Sequence, residues 1–321
     1  MTTLSRKNPH LLIVGAMHVD EVATISGAHV AHASNPASWH CQAGGVACNA
    51  ARAAHRVFQQ SEAGDITLQT AIGSDAMGET LLKALRCDRL NVEPCIIDGK
   101  STGRYSAIMS KDGELLIGLA DVQIAEQLSP LSAVAHIERG GVNLLLIDAN
   151  LSTECIHTLA EVARSMSVPL AAMCVSPTKA TRLLPCASSI DLLFCNRREA
   201  FALARESDQI ANCQSAFDVG LQTLAAALTE AGFNNLVITD GASDVLVSEN
   251  GVCSYLPTAP VAITANVNGA GDALAGASVA ALSAEIPLLQ AVADYGLGMA
   301  AQLINGECPP VSLSRRFHYD E

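Results

Sequence analysis

Short, nearly continuous apolar runs alternate with segments of helical periodicity along most of this chain. The apolar runs Leu11–Ala16, Ile66–Ile72, Leu144–Ile147, Leu170–Val175, Leu192–Phe194 and Leu236–Thr239 read as strands. Between them, Val46–Phe58, Met77–Arg86, Thr153–Met166, Arg198–Arg205 and Phe217–Ala231 read as helices, and two further helices follow near 270–284 and 287–304. Strands that are apolar on both faces and alternate with helices predict a parallel sheet covered on both sides, a three-layer α/β sandwich. Two stretches break the rhythm. Residues 22–43 read as extended and partly exposed, and residues 99–121 hold a hairpin, Arg104–Ser110 and Glu114–Ala120, around Lys111-Asp112-Gly113. Inserted between α/β units, they predict a small antiparallel β lid on the main sheet. A second hairpin, Val245–Ser248 with Val252–Leu256, is closed by Asn250-Gly251. With no internal repeat or Pro-rich linker, the 321 residues read as one domain, 1–321, carrying the lid.

Composition narrows the functions open to such a fold. Apolar residues make up 50% and charged residues 16%, the signature of a well-buried globular chain. No apolar stretch approaches the roughly 20 residues that span a bilayer, so no membrane role is expected. Arg6 and Lys7 precede Leu11–Met17 in faint imitation of a signal peptide, but His18 and Asp20 follow with no small-residue cleavage site. Eleven scattered cysteines without a C-x-x-C pair fit a reducing, cytoplasmic setting. A net charge of −13 disfavours nucleic-acid binding. It also means that any polyanion site must draw compensation from helix N-termini, a lysine or a metal ion.

The chemistry concentrates at a few points. Asn268-Gly269-Ala270-Gly271-Asp272 leads into a helical run of small residues. The glycines let backbone N–H groups converge on an anion at a helix N-terminus. A carboxylate beside that anion is unfavourable for binding alone, but suits a base that takes a proton from a hydroxyl attacking phosphorus. The same letters also fit a glycine turn with an acid in the first helical turn, where the macrodipole favours acids and is expected to depress the Asp272 pKa. Gly44-Gly45 opens the helix bearing Asn49, offering either close approach to a hydroxylated ligand or an ordinary turn. Asn196 and Glu199 follow the strand Leu192–Phe194; three residues apart, they suit a hydrated magnesium or an N-cap with its capping-box acid. Thr239-Asp240-Gly241 ends another strand, where open α/β sheets place ligands.

Other patterns fail on inspection. Gly99-Lys100-Ser101-Thr102 matches the tail of a Walker A loop, but Pro94 stands where its first glycine belongs. The late glycine pair lacks the third glycine of a dinucleotide fingerprint, since Leu274 is there. His29, His32 and His40 near Cys41 follow no recognised metal spacing, and no G-x-S-x-G elbow occurs.

Together, the Gly44-Gly45…Asn49 element, the segment Ile72–Gly78, the Asn196…Glu199 element and the Gly269–Asp272 signature resemble the ribokinase-like (PfkB) family of carbohydrate and nucleoside kinases over nearly the whole chain. The resemblance implies ATP and Mg2+ as cofactors and leaves a monovalent cation (K+) open. It would make Asp272 the catalytic base and the Gly269, Ala270 and Gly271 amides the anion hole. Asp20, Gly45 and Asn49 would hold sugar hydroxyls. Asn196 and Glu199 would organise phosphate and magnesium, with Glu199 at the metal, and Thr239 and Gly241 would border the nucleotide, whose base would lie near the helix around Gly296 to Ala300. Within the family, the text Asp112–Asp121, Asp148–Ser152, Val175–Lys179 and Asn266-Val267-Asn268 is most similar to pseudouridine kinases, which makes Lys179 a candidate phosphate contact. Two residues depart from the pattern: Cys48, where those kinases often carry Arg, and Asp244, where the family usually has Gly. A carboxylate at 244 would repel phosphates unless it turns outward. The expected activity is phosphorylation of the 5′-hydroxyl of a nucleoside, pseudouridine first. A free sugar such as ribose or another nucleoside is the alternative, and a non-catalytic sugar or nucleoside sensor a third. The apolar positions Tyr105, Ala107, Met109, Leu115 and Ile117 exceed what a monomer's lid can bury, which predicts a homodimer through the lid.

Overall fold

The strand run begun by Leu11 has both faces apolar because it lies in the middle of a nine-stranded sheet. The computed structural model describes residues 8–61, 64–210, 213–260, 268–307 and 313. In chain order the strands are β1 (His10–Val14), β2 (His18–Ile25), β3 (Ala37–Gly44), β4 (Asp65–Gly73), β5 (Asn91–Ile97), β6 (Arg104–Met109), β7 (Leu115–Asp121), β8 (Val142–Asp148), β9 (Leu170–Met173), β10 (Leu192–Asn196), β11 (Asn235–Thr239), β12 (Val245–Glu249) and β13 (Val252–Leu256). The main sheet runs β13-β12-β11-β10-β9-β8-β1-β4-β5. It is parallel from β11 through β5, with β12 and β13 added antiparallel at one edge.

Alternate residues of β1 feed opposite cores. Leu11 and Ile13 pack with the helices Val46–Ser61, Ala76–Cys87 and Ala270–Ser283. Leu12 and Val14 pack with the helices Leu131–Arg139, Thr153–Ser165, Arg197–Glu206 and Leu221–Glu230. This is the expected three-layer α/β sandwich, with a period of two sorting one strand between two layers. Among the described residues no helix is long and apolar enough to cross a membrane.

The second sheet, β3-β2-β6-β7, is the lid. It is antiparallel except for β2 against β6, which pair in parallel. Its first strand starts at His18, four residues before the predicted segment, so Asp20 belongs to the lid and not to the tip of β1. Every residue of the edge strand β7 is exposed.

Three local expectations are corrected. β5 and the helix Leu131–Arg139 have no counterpart among the predicted elements. Pro94 masks β5, and it is tolerated because β5 is an edge strand. The predicted helix from Phe217 is a short 3-10 turn, Ala216–Asp218, followed by Leu221–Glu230, because Gly220 interrupts it as an N-cap. The last predicted helix is interrupted by a π-helical turn over Ala291–Gly296. Asn266 and Val267, part of the signature's approach, lie outside the described residues.

Candidate active site

The strand order reverses direction between β1 and β8, and crevices at such switch points are where open α/β sheets bind ligands. Asp148 ends β8 there, fully buried. Its Oδ2 accepts from the backbone N–H groups of Ala16 (2.9 Å) and Ala47 (3.1 Å), and its Oδ1 from that of Asn150 (2.9 Å). Burial pushes its pKa up, against the pull of these hydrogen bonds. Gly15 has no side chain because a Cβ would run into this carboxylate. Asp148 therefore ties the end of β1 to the start of the helix that carries Asn49. Its signal in the sequence is an acid that closes the apolar run Leu144–Ile147.

The helix Ala270–Ser283 is built almost wholly of small residues, and the reason is contact distance. A Cβ on Gly276 would collide with the backbone carbonyl of Ala50, so this helix and Val46–Ser61 touch backbone to backbone. One residue before Ala50 is Asn49, and one turn before Gly276 is Asp272. The close crossing brings them together: Asn49 Nδ2 donates to Asp272 Oδ2 at 3.0 Å. Gly269 caps the helix at φ +80°, a left-handed conformation that suits glycine. The first N–H groups of a helix have no intrahelical acceptor, so those at Ala270, Gly271 and Asp272 are disposed to meet an anion.

Asp272 is half-buried, with part of its surface open and protein packed around the rest. Burial raises its pKa from 3.8 to about 7; the charges of Asp148 and Glu199 push the same way, while the Asn49 bond and His18 oppose them. The expected depression by the helix dipole is thus overturned. Desolvation and two neighbouring acids outweigh a partial charge at the helix end.

On the lid side, Asp20 Oδ1 lies 3.0 Å from His18 Nε2, at ion-pair distance, and its carboxylate lies against Gly44, where a Cβ would collide with it. Gly45 follows at φ +102°, with its α-hydrogen facing the backbone of Ala16 and Met17. His18, beside Asp20 and close enough to influence Asp272, lies between the two carboxylates in the charge network; its Nδ1 is buried without a partner among the described residues. Asp75, in the quoted Ile72–Gly78 segment, holds the base of the lid by accepting from Thr102 N (2.8 Å) and Oγ1 (2.6 Å).

On the other side of the turn, a cleft of about 930 Å3 is lined by Asn196, Thr239, Gly241, Asn268, Ala270 and Gly271, with Leu297 and Ala300 from the last helix. Asn196 and Glu199 form a full capping box: Asn196 Oδ1 accepts from Arg198 N (2.9 Å) and Glu199 N (3.0 Å), and Glu199 Oε2 accepts from Asn196 N (2.8 Å). Glu199 is buried, which raises its pKa. Asp244 is exposed and does not line the cleft, so it satisfies the outward condition set by the sequence. Lys179 does not line the cleft either. Its Nζ donates to Asn150 Oδ1 at 2.7 Å, and burial, then Arg182, lowers its pKa. Among the described residues no three His, Cys, Asp or Glu side chains converge as a metal cage.

Residues 8–305 match the profile of the pfkB family carbohydrate kinases. The chain belongs to that family. The PfkB chain is 28% identical over 266 residues to the uncharacterized sugar kinase YeiI of Escherichia coli K12, covering 82% of this chain and 69% of that one. It is 27% identical over 281 residues to the pseudouridine kinase of the same organism, covering 84% and 82%. A solved carbohydrate kinase from Agrobacterium tumefaciens superposes with a TM-score of 0.76 at 31% identity, covering 94% of this chain and 91% of that one. The ribokinase-like fold and a phosphotransferase class follow.

Proposed function

We propose that this PfkB kinase transfers the γ-phosphoryl group of ATP to the 5′-hydroxyl of a nucleoside, pseudouridine first. The observation that carries the reading is the 3.0 Å bond from Asn49 to Asp272, which joins the acceptor-side helix to a base at an anion-binding turn. Asp20 and Asn49 would hold ribosyl hydroxyls, with Gly45 letting the ligand approach the backbone. That pose sets the 5′-oxygen between Asp272 and the phosphorus. With its pKa near 7, Asp272 can take the hydroxyl proton at neutral pH. The amides at Gly269–Gly271 would receive charge developing on the transferred group. Thr239 and Gly241 would border the nucleotide in the cleft, and Lys179 would reach phosphate on giving up Asn150.

Magnesium prefers to keep several waters and take one or two carboxylates plus substrate phosphates. The buried Glu199, in a capping box with Asn196 and with no convergence of three His, Cys, Asp or Glu side chains among the described residues, fits that mode and no all-protein cage. When bound, the ion would supply charge compensation at the phosphates. The lid would close over the sugar and exclude water, and its exposed Leu115, Ile117 and Leu119 would pair with a second copy.

Similarity to YeiI at 28% supports a second reading, in which a free sugar is the acceptor. ADP release measured with pseudouridine, uridine, adenosine and ribose, with and without magnesium, separates the two. Turnover fastest with pseudouridine is expected. A clear preference for ribose would transfer the assignment to the sugar, and no ADP release with any acceptor would remove the kinase reading.

A further inference from the structure

The nucleotide-side cleft has a simple charge inventory. Among the described residues its lining holds two cations, Arg197 and Arg198, and one carboxylate, Asp240. Arg197 is committed. Its Nη2 donates to Asp240 Oδ2 at 2.8 Å, and its Nη1 donates to the carbonyls of Ala216 (3.2 Å) and Val219 (2.6 Å). It staples three walls together: the start of the helix Arg197–Glu206, the turn Ala216–Asp218 and the end of β11. Its charge is matched by Asp240 at the same time.

That staple also fixes Phe217, which sits between the two carbonyls Arg197 holds. The ring is 66% exposed while lining the cleft. The guanidinium carbons of Arg197 and Arg198 lie 6.0 Å and 5.7 Å from its centroid, at cation–π distance. Arg198 is exposed and makes no ion pair among the described residues. Its backbone is pinned by the Asn196 cap, two residues from the proposed phosphate contact.

We propose that Arg198, steadied on the Phe217 ring, binds the phosphate chain of the nucleotide donor and sets the affinity for a nucleoside triphosphate. The proposal rests on the kinase reading above and adds a residue to it. A chain of net charge −13 repels a triphosphate, and a helix N-terminus offers only about half a positive charge. Lys179 is held by Asn150 outside the cleft and would reach phosphate only on giving up that bond. The unmatched guanidinium is therefore the cleft's own source of full positive charge. Stacking on an aromatic face leaves the N–H edge of the guanidinium free for paired hydrogen bonds to phosphate oxygens, and it limits the ordering cost of binding.

The test uses the full chain and AMP-PNP, a non-hydrolysable ATP analogue, titrated calorimetrically at two salt concentrations alongside steady-state kinetics. Arg198→Gln is expected to weaken AMP-PNP about tenfold and raise the KM for ATP similarly, as loss of a charge-assisted contact implies. The KM for the acceptor should stay within about twofold, and the salt dependence of nucleotide binding should shrink. Arg198→Lys should recover part of the affinity. Phe217→Leu should weaken AMP-PNP less than Arg198→Gln does, and add little to it in the double variant, because both act through one guanidinium. AMP-PNP affinity of Arg198→Gln within about twofold of the parent, or additive losses in the double variant, would overturn the proposal while leaving the kinase reading intact. If the parent chain neither binds AMP-PNP nor releases ADP, both fall together.

Discussion

Replacing Asp272 by Asn should make the protein both slower and more stable, a pairing that few other mechanisms produce. The carboxylate's pKa rises from 3.8 to about 7 on folding, chiefly through burial. Between those values the unfolded chain ionises while the folded chain keeps the proton, so stability falls as pH rises and the loss is complete above about pH 7. At about 1.4 kcal/mol per unit the full shift is worth about 4 kcal/mol; partial opening to solvent screens it, and about 2 kcal/mol is a working figure. Asn cannot ionise and keeps a group of the same shape beside Asn49. Asp272→Asn should therefore gain about 2 kcal/mol over the parent at pH 8, with the gain vanishing near pH 4. Urea denaturation at both pH values measures this. Turnover should fall on the order of 10²–10⁴-fold with little change in acceptor binding. A variant no more stable than the parent at pH 8 would show that the acid is not held in a charge-disfavouring site. A variant with near-normal turnover would remove it as the base.

Asn49→Ala deletes the hydrogen bond that opposes the rise in the Asp272 pKa, so the acid limb of the kcat/KM profile should shift to higher pH; an unmoved limb would refute the coupling. Gly276→Ala places a methyl where the carbonyl of Ala50 stands, which should cost about 1–3 kcal/mol in thermal unfolding and, by shifting Asn49 from Asp272, on the order of 10²-fold in turnover. Unchanged turnover would mean that the helix crossing does not set the site. Leu119→Lys on the exposed strand β7 should leave a monomer in sedimentation at micromolar concentration, where the parent is expected to be a dimer; a monomeric parent would refute lid pairing.

What could be read from the sequence was what depends on local periodicity. The β1 run Leu11–Val14, apolar at every position, announced a strand buried on both faces, and the exposed lid hairpin announced itself through Lys111-Asp112-Gly113. β5 escaped because Glu93 and Pro94 spoil the apolar pattern of a strand that lies at the sheet edge. Phe217 reads as helical because Gly220 is a weak local stop, and its actual position depends on Arg197 reaching across from another element. The glycine turn with its acid was visible, but the acid's strength was not. Burial, Asp148 and Glu199 set it, and these lie 124 and 73 positions away along the chain. The capping-box reading of Asn196 and Glu199 and the ligand reading need not compete, since the bonds that cap the helix also fix the amide at the cleft wall.

In the proposed site a carboxylate stands next to an anion-binding turn, and its charge must not expel the phosphate. A base held fully ionised by the helix dipole would repel the donor throughout the binding step. An acid whose pKa lies near 7 is neutral in a large share of molecules at physiological pH, and so repels less. The ionised share accepts a proton readily once the attacking hydroxyl begins to lose one. The small-residue helix is what makes this balance available. Only backbone contact between Gly276 and Ala50 brings Asn49 within 3.0 Å of the carboxylate, and that one hydrogen bond opposes the burial and acidic neighbours that push its pKa upward. Packing two helices without side chains between them thus tunes an acid, and the run of alanines and glycines after Asp272 is part of the proposed catalytic apparatus as much as of the core.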